Sequence, residues 1–174
     1  MAHSEVTDLL EHLERYRAVT LQALDLVDAD HLTWRPGPDY YFLCQQFIHI
    51  AQAEDFHAHG IFDDDWDIER VRLPKECWEP ARIREFFEAV REFTRSHVQT
   101  MSARDMDRIL TIPGTPGDWT VRSWLWFILE HELHHKGQIW LYLRQMGITP
   151  PFYAMPLEKG ARPDIAARQD LGGF

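Results

Sequence analysis

The stretch from Trp119 to Pro151, WTVRSWLWFILEHELHHKGQIWLYLRQMGITPP, indicates the fold and the chemistry more clearly than any other part of the chain. Thr120 can cap the start of a helix, because its hydroxyl can accept a hydrogen bond from a free amide of the first turn. Gly147 and the two prolines after it are typical of a helix end. Apart from Gly137, nothing between these signals disfavours a helix. The sequence therefore predicts one helix of about 26 residues, roughly 39 Å long.

Three histidines, His131, His134 and His135, stand near the middle of this predicted helix. His131 and His135 are four residues apart, which places both imidazoles on one helical face, about 40° apart in projection. Two side chains so placed can share one cation. His134 lies about 60° from His131 and could replace His135 in an i, i+3 pair. The spacing favours His131 with His135.

Composition bounds the class of protein. The 174 residues fit one domain with a buried core, and we expect residues 1–174 to form a single domain. An apolar content of 45% excludes a disordered chain, and a net charge of −10 argues against binding to nucleic acid or to an anionic membrane. Cys44 and Cys77 are expected to be reduced thiols. Because no secretory signal opens the chain and its most apolar window is short, we expect a soluble, cytoplasmic protein.

Apolar residues recur at three- and four-residue steps in three further stretches, which predicts three more amphipathic helices. We expect them from Ser4 to about Val27, from Asp39 to about Ile61, and from Pro80 to about Met101. No convincing strand pair is visible, and the tail from Phe152 is expected to be irregular coil. Four amphipathic helices with one apolar stripe each predict an all-α protein, a four-helix bundle with an irregular C-terminal tail.

The inward rows of these helices contain several histidines. His49 is the best-placed third ligand for His131 and His135, and His97 is expected near the site or in the core without being a ligand. Buried imidazoles need partners, and a shared divalent ion satisfies several at once. Three neutral histidines form an open site that suits zinc or nickel, and iron and copper are also compatible. Five others stand in polar or terminal surroundings and are expected at the surface: His3, His12, His31, His57 and His59.

Residues 131–135 also formally match HExxH, in which two histidines bind zinc and the glutamate is the base of a metalloprotease. That interpretation leaves His49 without a role, and it remains an alternative. On the bundle interpretation, Glu132 lies about 100° from His131 and should point away from the ligands, pairing with a neighbour such as Lys136. No catalytic acid or base can be assigned; the candidates by position are Glu54, Glu132 and His97.

Three segments together resemble the DinB/YfiT-like superfamily: LTWRPGP at 32–38, FIHIAQAE at 47–54 and EHELHHKGQIWLYLRQMGITPP at 130–151. The resemblance implies a four-helix bundle, commonly dimeric, with a metal site formed by three histidines. Carried over by motif, the ligands are His49, His131 and His135, and His134 has no ligand role. Characterised members of the superfamily include thiol transferases that use bacillithiol or mycothiol, and a thiol-dependent isomerase.

These observations favour a metal-dependent enzyme of the thiol S-transferase kind, in which the ion stabilises the thiolate of a low-molecular-weight thiol. Phe42, Trp124 and Phe127 would give the substrate an apolar wall if they line the mouth of the site. One alternative is a metallohydrolase, in which the ion lowers the pKa of water. Another is a non-catalytic interaction module stapled by metal. The open ligand count favours an enzyme, since a structural zinc site normally has four protein ligands.

We expect a small-molecule substrate and a homodimer. Leu125, Trp126 and Leu129 lie off the inward row of the long helix, and an exposed apolar patch of that size usually meets a partner.

Overall fold

The computed structural model describes residues 5–112 and 116–152. Within them lie six α-helices, one 3₁₀ helix and two short strands. The α-helices are α1 (Glu5–Leu24), α2 (Ala29–Leu32), α3 (Leu43–Asp63), α4 (Pro80–Val98), α5 (Ala103–Met106) and α6 (Val121–Gln145). The 3₁₀ helix (Ile68–Val71) follows α3, and strands β1 (Ile109–Leu110) and β2 (Trp119–Thr120) pair antiparallel before α6.

The four long helices form the bundle that the sequence predicts. Helix α3 packs against α4 and α6, and α1 packs against the same two helices, so that the four helices close a ring. An all-α, four-helix fold is therefore confirmed. Because α3 also carries the 3₁₀ helix on its outer side, it is buried on most of its circumference rather than along one row.

The ends of α6 follow the signals in the sequence. The hydroxyl oxygen of Thr120 accepts a hydrogen bond from the backbone amide of Ser123 and so caps the start of the helix. Gly147 has φ +77°, and the amide of Ile148 donates to the carbonyl of Leu143 (2.8 Å), which is the Schellman ending that favours glycine. The helix has 25 residues, close to the predicted length.

Other boundaries differ from the prediction. Helix α1 ends three residues before Val27, and α3 begins at Leu43 rather than Asp39, where the amide of Phe42 donates to the Gln45 side chain (3.0 Å). Helix α4 begins at Pro80 as expected. The short helices α2 and α5 and the strand pair were not predicted, because elements of two to four residues leave no periodicity. The predicted tail beyond Phe152 lies outside the described residues.

The acidic loop after α3 folds back over that helix through Trp66. A Cβ on Gly60 would lie 2.4 Å from the Trp66 ring, so only glycine allows the indole to pack this closely on the helix. The contact places Trp66 beside Phe56, with ring centroids 5.5 Å apart. This loop therefore becomes part of the wall around the C-terminal half of α3.

The expectation of two reduced thiols is wrong in this structure. Cys44 on α3 and Cys77 in the loop before α4 form a disulfide, with their Cα atoms 5.6 Å apart. The two residues are 33 positions apart in sequence, and only the path of the loop brings them together.

The apolar patch expected on α6 is only partly present. Leu125 and Leu129 are buried in the bundle, and Trp126 is half-buried with its ring against His12. These leucines belong to the part of the core that also contains Leu13 of α1 and Val98 of α4, so the buried residues of α6 are not confined to a single inward row. The homodimer stays a prediction without the support of those two leucines. No described helix is long and apolar enough to cross a membrane.

A buried group of four charges joins the four long helices. Arg17 (α1) lies 2.6 Å from Glu54 (α3), and Arg91 (α4) lies 2.8 Å from the same carboxylate. Both arginines also contact Glu132 (α6) at 3.2 Å. The Thr20 hydroxyl donates a further hydrogen bond to Glu132 (2.7 Å). We call Arg17, Glu54, Arg91 and Glu132 the ionic cluster; its formal charges cancel.

The ionic cluster lies between two apolar parts of the core. One contains Phe47 of α3 and Phe87 of α4, and the other contains Leu13 of α1 and Leu129 of α6. All four charged residues are at most 3% exposed. Burial opposes ionisation of Glu54, but the charges and hydrogen bonds of the two arginines outweigh it and lower the Glu54 pKa to about 2.

The expected pairing of Glu132 with Lys136 is wrong. Glu132 does point away from the histidines, but it is 1% exposed and its oxygens bind Arg17, Arg91 and Thr20. Hydrophobic periodicity assigns polar residues to the surface and does not allow for complementary charges on the facing helices.

We expect Glu132→Gln to lower the free energy of unfolding by about 3–5 kcal/mol, because it leaves two buried arginines with one carboxylate. Urea unfolding of the metal-free protein measures the change. Glu130→Gln is the matched control, since Glu130 is exposed on the same helix. Equal losses of stability in the two variants would contradict a structural role for the ionic cluster.

Candidate metal centre

The packing of α3 against α6 brings His49, His131 and His135 together. One potential ligand atom from each lies within 4.8 Å of those of the other two. The ring centroids of His131 and His135 are 4.4 Å apart, and His49 lies 5.0 and 4.7 Å from them. These are the three residues that spacing and motif selected, and we call them the histidine cluster.

The alternative ligand His134 lies outside the cluster, and so does His97, which was not expected to be a ligand. His134 is exposed and hydrogen-bonds to Gln138 (2.8 Å). His97 stacks on Phe62 near the far end of α4, and its Nδ1 bonds to the carbonyl of Phe93 (2.8 Å). Within the described residues, no cysteine or carboxylate joins the three imidazoles.

A chain of hydrogen bonds holds His135 in place. Its Nδ1 lies 2.9 Å from Oε1 of Gln46, so Nδ1 carries the proton and donates it to the amide oxygen. The Gln46 amide donates in turn to the hydroxyl of Tyr142 (3.4 Å), which donates to the carbonyl of Tyr41 (3.2 Å). This arrangement leaves Nε2 of His135 unprotonated and available as a ligand. Outer hydrogen bonds of this kind orient metal-binding imidazoles.

The electrostatics of the cluster favour neutral imidazoles. Burial lowers the pKa of His49. Burial, followed by the charges that neighbouring histidines would carry, lowers the pKa of His131 to about 3 and that of His135 to about 4. A metal ion needs deprotonated ligands, and these three are deprotonated at neutral pH.

The histidine cluster fits a divalent ion. Nδ1 of His49 is buried and has no hydrogen-bond partner among the described residues, so the imidazole lacks an interaction that coordination would supply. Three neutral nitrogen donors suit zinc or nickel and leave coordination positions for other molecules. Cys44 cannot complete the set, because its sulfur is bonded to Cys77.

Aromatic side chains surround the cluster on two sides. Tyr41 is half exposed, and its ring centroid lies 6.4 Å from that of His49. The ring centroid of Phe127 lies 6.0 Å from that of His131. Phe127 and Trp124 therefore form part of an apolar wall, as the sequence suggested. Phe42 does not join it: it packs into the apolar core under the guanidinium of Arg35. Tyr41 lies just before α3, which begins at Leu43 rather than at the predicted Asp39, so the periodicity of the predicted helix does not give the position of this ring.

His57 was expected at the surface, and the structure places it beside the site instead. Its ring stacks on Trp124 (4.9 Å between centroids) and meets the edge of Phe127 at 5.2 Å. Its Nδ1 is buried without a described partner, and burial lowers its pKa to about 4. A charge on His57 would also lower the pKa of His131. The spacing of eight residues from His49, about 80° around the helix, was the signal available in the sequence.

The three residues considered as catalytic acids or bases are engaged elsewhere. Glu54 and Glu132 bind the buried arginines of the ionic cluster, and His97 is stacked between aromatic rings. His57, by contrast, is a titratable side chain outside the cluster that lies beside the site.

Comparison with known proteins identifies the relatives of this fold. The family model described as the DinB family matches residues 1–167. The uncharacterized protein YjoA of Bacillus subtilis (strain 168) is 24% identical over 147 residues, which cover 83% of this chain and 94% of YjoA. The crystal structure of that DinB-like protein has a TM-score of 0.70 at 22% identity, covering 86% of this chain and 99% of its own.

Two further crystal structures share the fold. A DinB-like protein from Bacillus cereus ATCC 10987 has a TM-score of 0.69 at 20% identity, covering 84% of this chain and 95% of its own. YfiT from Bacillus subtilis, described as a probable metal-dependent hydrolase with an unusual four-helix bundle topology, has a TM-score of 0.70 at 16% identity. That match covers 85% of this chain and 92% of YfiT.

We expect the protein to bind one divalent ion through the histidine cluster. Alanine at His49, His131 or His135 should abolish stoichiometric binding, because each substitution removes one of three ligands. His134→Ala is the control and should keep its metal, since that imidazole points away. Elemental analysis after dialysis measures the metal content per chain. Equal content in wild type and His49→Ala would contradict the assignment.

We expect Gln46→Ala to weaken metal binding about 10- to 100-fold, since it releases Nδ1 of His135. Competition with a chromophoric chelator measures the affinity. Gln52→Ala is the matched control: Gln52 is also buried on α3, but its amide donates to the carbonyl of Arg72 (2.7 Å). An affinity unchanged by Gln46→Ala would show that this hydrogen bond does not orient the ligand.

Proposed function

The chain belongs to the DinB family, and from its histidine cluster we propose that it is a metal-dependent enzyme of the thiol S-transferase kind. Its substrates would be a low-molecular-weight thiol and an electrophilic small molecule. The observation that carries the proposal is a cluster of three neutral imidazoles with no carboxylate beside it in the described residues.

His49, His131 and His135 would hold the ion. When bound, the ion would lower the pKa of a coordinating thiol, so that the nucleophilic thiolate is present at neutral pH. Gln46 would keep the imidazole of His135 in the tautomer that presents Nε2. The three histidines are neutral donors, so the ion would retain its full positive charge toward a thiolate.

Within the part of the chain that the structure describes, no carboxylate lies beside the three imidazoles, and this supports a thiol over water as the nucleophile. Metal-bound water can lose a proton to solvent, but its attack is usually assisted by a side chain that accepts a proton during the reaction. The glutamate of the HExxH run cannot serve, because both oxygens of Glu132 bind arginine side chains on the far side of α6. A thiol is far more acidic than water, and it can lose its proton to solvent before it reacts.

The aromatic wall supports an apolar electrophile. Phe127 is partly exposed beside His131, and Tyr41 is partly exposed beside His49, so a flat or hydrophobic molecule could lie between them and exclude water. The sulfur would then attack the electrophilic carbon: a carbon–sulfur bond forms, the bond to the leaving group breaks, and the thiol proton passes to solvent.

Metal-dependent hydrolysis is the second candidate, and His57 is the observation that favours it. Its imidazole is neutral at pH 7, and its Nδ1 has no described partner, so it could accept a proton from water. The description of YfiT as a probable metal-dependent hydrolase points the same way. A non-catalytic, metal-stapled module is less well supported, since a closed structural site would need a fourth protein ligand.

Paired assays on the zinc- or nickel-loaded protein distinguish these functions. The first measures thioether formation from 1-chloro-2,4-dinitrobenzene with bacillithiol, mycothiol, glutathione or cysteine; the second measures hydrolysis of p-nitrophenyl acetate without thiol. We expect thioether formation that His135→Ala removes and His134→Ala preserves. Thiol-independent hydrolysis that His57→Gln lowers a hundredfold, about 2.7 kcal/mol of transition-state stabilisation, would favour the hydrolase instead. A protein that binds one equivalent of metal but shows neither activity would favour the non-catalytic, metal-stapled module.

A further inference from the structure

A groove of about 410 Å³ lies between α1 and α6, on the side of α6 opposite the histidine cluster. Lys136, Gly137 and Trp140 contribute from α6, and Tyr16 contributes from α1. On a helical projection these α6 residues lie roughly 140–240° from His131, so the groove is separate from the metal centre. Its volume falls within the range of about 300–1,000 Å³ that is usual for small-molecule sites.

Among the residues that the structure describes, two cations line this groove and neither has an acidic partner. The ammonium of Lys136 lies 4.5 Å from the ring centroid of Tyr16 and 5.6 Å from that of Trp140. Neither Lys136 nor Arg144 makes an ion pair within the described parts of the chain, and no lining residue is acidic. Burial lowers the pKa of Lys136 and the charge of Glu132 opposes this, but the oxygens of Glu132 bind Arg17, Arg91 and Thr20. The positive charge of this groove contrasts with the net charge of −10 on the whole protein.

Gly137 keeps the groove open. Glycine inside a helix costs about 1 kcal/mol relative to alanine. A Cβ at Gly137 would meet no described atom within 4 Å, so packing within this part of the chain does not require the glycine. The helical φ of this position does not require it either. A ligand that approaches the helix backbone closely would require a glycine at this position.

The sequence run that carries the metal ligands contains these same residues. In EHELHHKGQIWLYLR the histidine cluster uses His131 and His135, and the ionic cluster uses Glu132. Lys136, Gly137 and Arg144 have no part in either. The groove is the feature of the structure that brings these three together.

We propose that the groove binds a small amphipathic anion, a monocarboxylate with an apolar body. The carboxylate would lie between Lys136 and Arg144, and the apolar part would lie over Gly137 against Leu133 and the ring of Tyr16. A second copy of the chain is the less suitable occupant. A twofold interface would bring the same face of both chains together, and with it four cations and no acid from the lining.

Octanoate is the probe, and octan-1-ol is its uncharged control of the same length. Displacement of 8-anilinonaphthalene-1-sulfonate from the metal-loaded full chain measures both affinities. We expect saturable binding of octanoate, at least tenfold tighter than that of octan-1-ol. Lys136→Met keeps the apolar stem of the side chain, removes its charge, and should weaken octanoate at least tenfold. Lys75→Met, at an exposed lysine in the loop before α4, should leave the affinity unchanged.

Gly137→Leu tests the shape of the groove separately. It should abolish octanoate binding while metal content stays at wild-type level and thermal stability does not fall, since leucine favours the helix. Equal affinity for octanoate and octan-1-ol, or octanoate binding that neither substitution changes, would overturn the proposal. A dimer in sedimentation that Gly137→Leu converts to a monomer would also overturn it, since the occupant would then be a second copy.

Discussion

The bundle depends on four buried charges that must stay together. Removing one of them from water is costly unless an opposite charge and hydrogen bonds replace the solvent, and here each carboxylate contacts both arginines. Because each long helix contributes one member, a helix cannot slide or rotate without separating a pair. Apolar packing alone would tolerate such shifts far better. The ionic cluster therefore fixes the rotation of α6, with Glu132 turned inward between Arg17 and Arg91.

This rotation determines where the histidines point. With Glu132 facing the interior, His131 lies about 100° to one side of it and His135 about 60° to the same side, both toward α3. On α3 itself, Glu54 and His49 are five residues apart, so the helix that supplies a carboxylate to the ionic cluster also supplies the third imidazole. The ionic cluster thus orients the histidine cluster, although no residue belongs to both. Loss of one of the buried charges would therefore change the positions of the histidines, because the same helices carry both.

The sequence predicted what local pattern and short motifs determine. The four long helices, the caps at Thr120 and Gly147, and the grouping of His131 with His135 all follow from spacing within one helix. The ionic cluster, the Cys44–Cys77 disulfide and the position of His57 depend on pairs separated by 33 to 115 residues or on the path of a loop. Hydrophobic periodicity does not predict these pairs. It treats a charged residue on the inner face of a helix as a break in the apolar pattern and takes no account of an opposite charge on another helix. Glu132 shows this most clearly.

Helix α6 presents three different surfaces within one run of residues. Glu132, Leu125 and Leu129 face the interior, His131 and His135 face α3, and Lys136 and Gly137 face the groove beside α1. An HExxH motif is commonly interpreted on the assumption that its two histidines and its glutamate serve one reaction. Here the helical geometry separates them, because residues one apart differ by about 100° and the bundle is occupied on every side. The motif therefore carries different meanings in an isolated catalytic helix and in a helix surrounded by partners. In this chain its glutamate belongs to the ionic cluster, and the chemistry of the histidine cluster has to be explained without it.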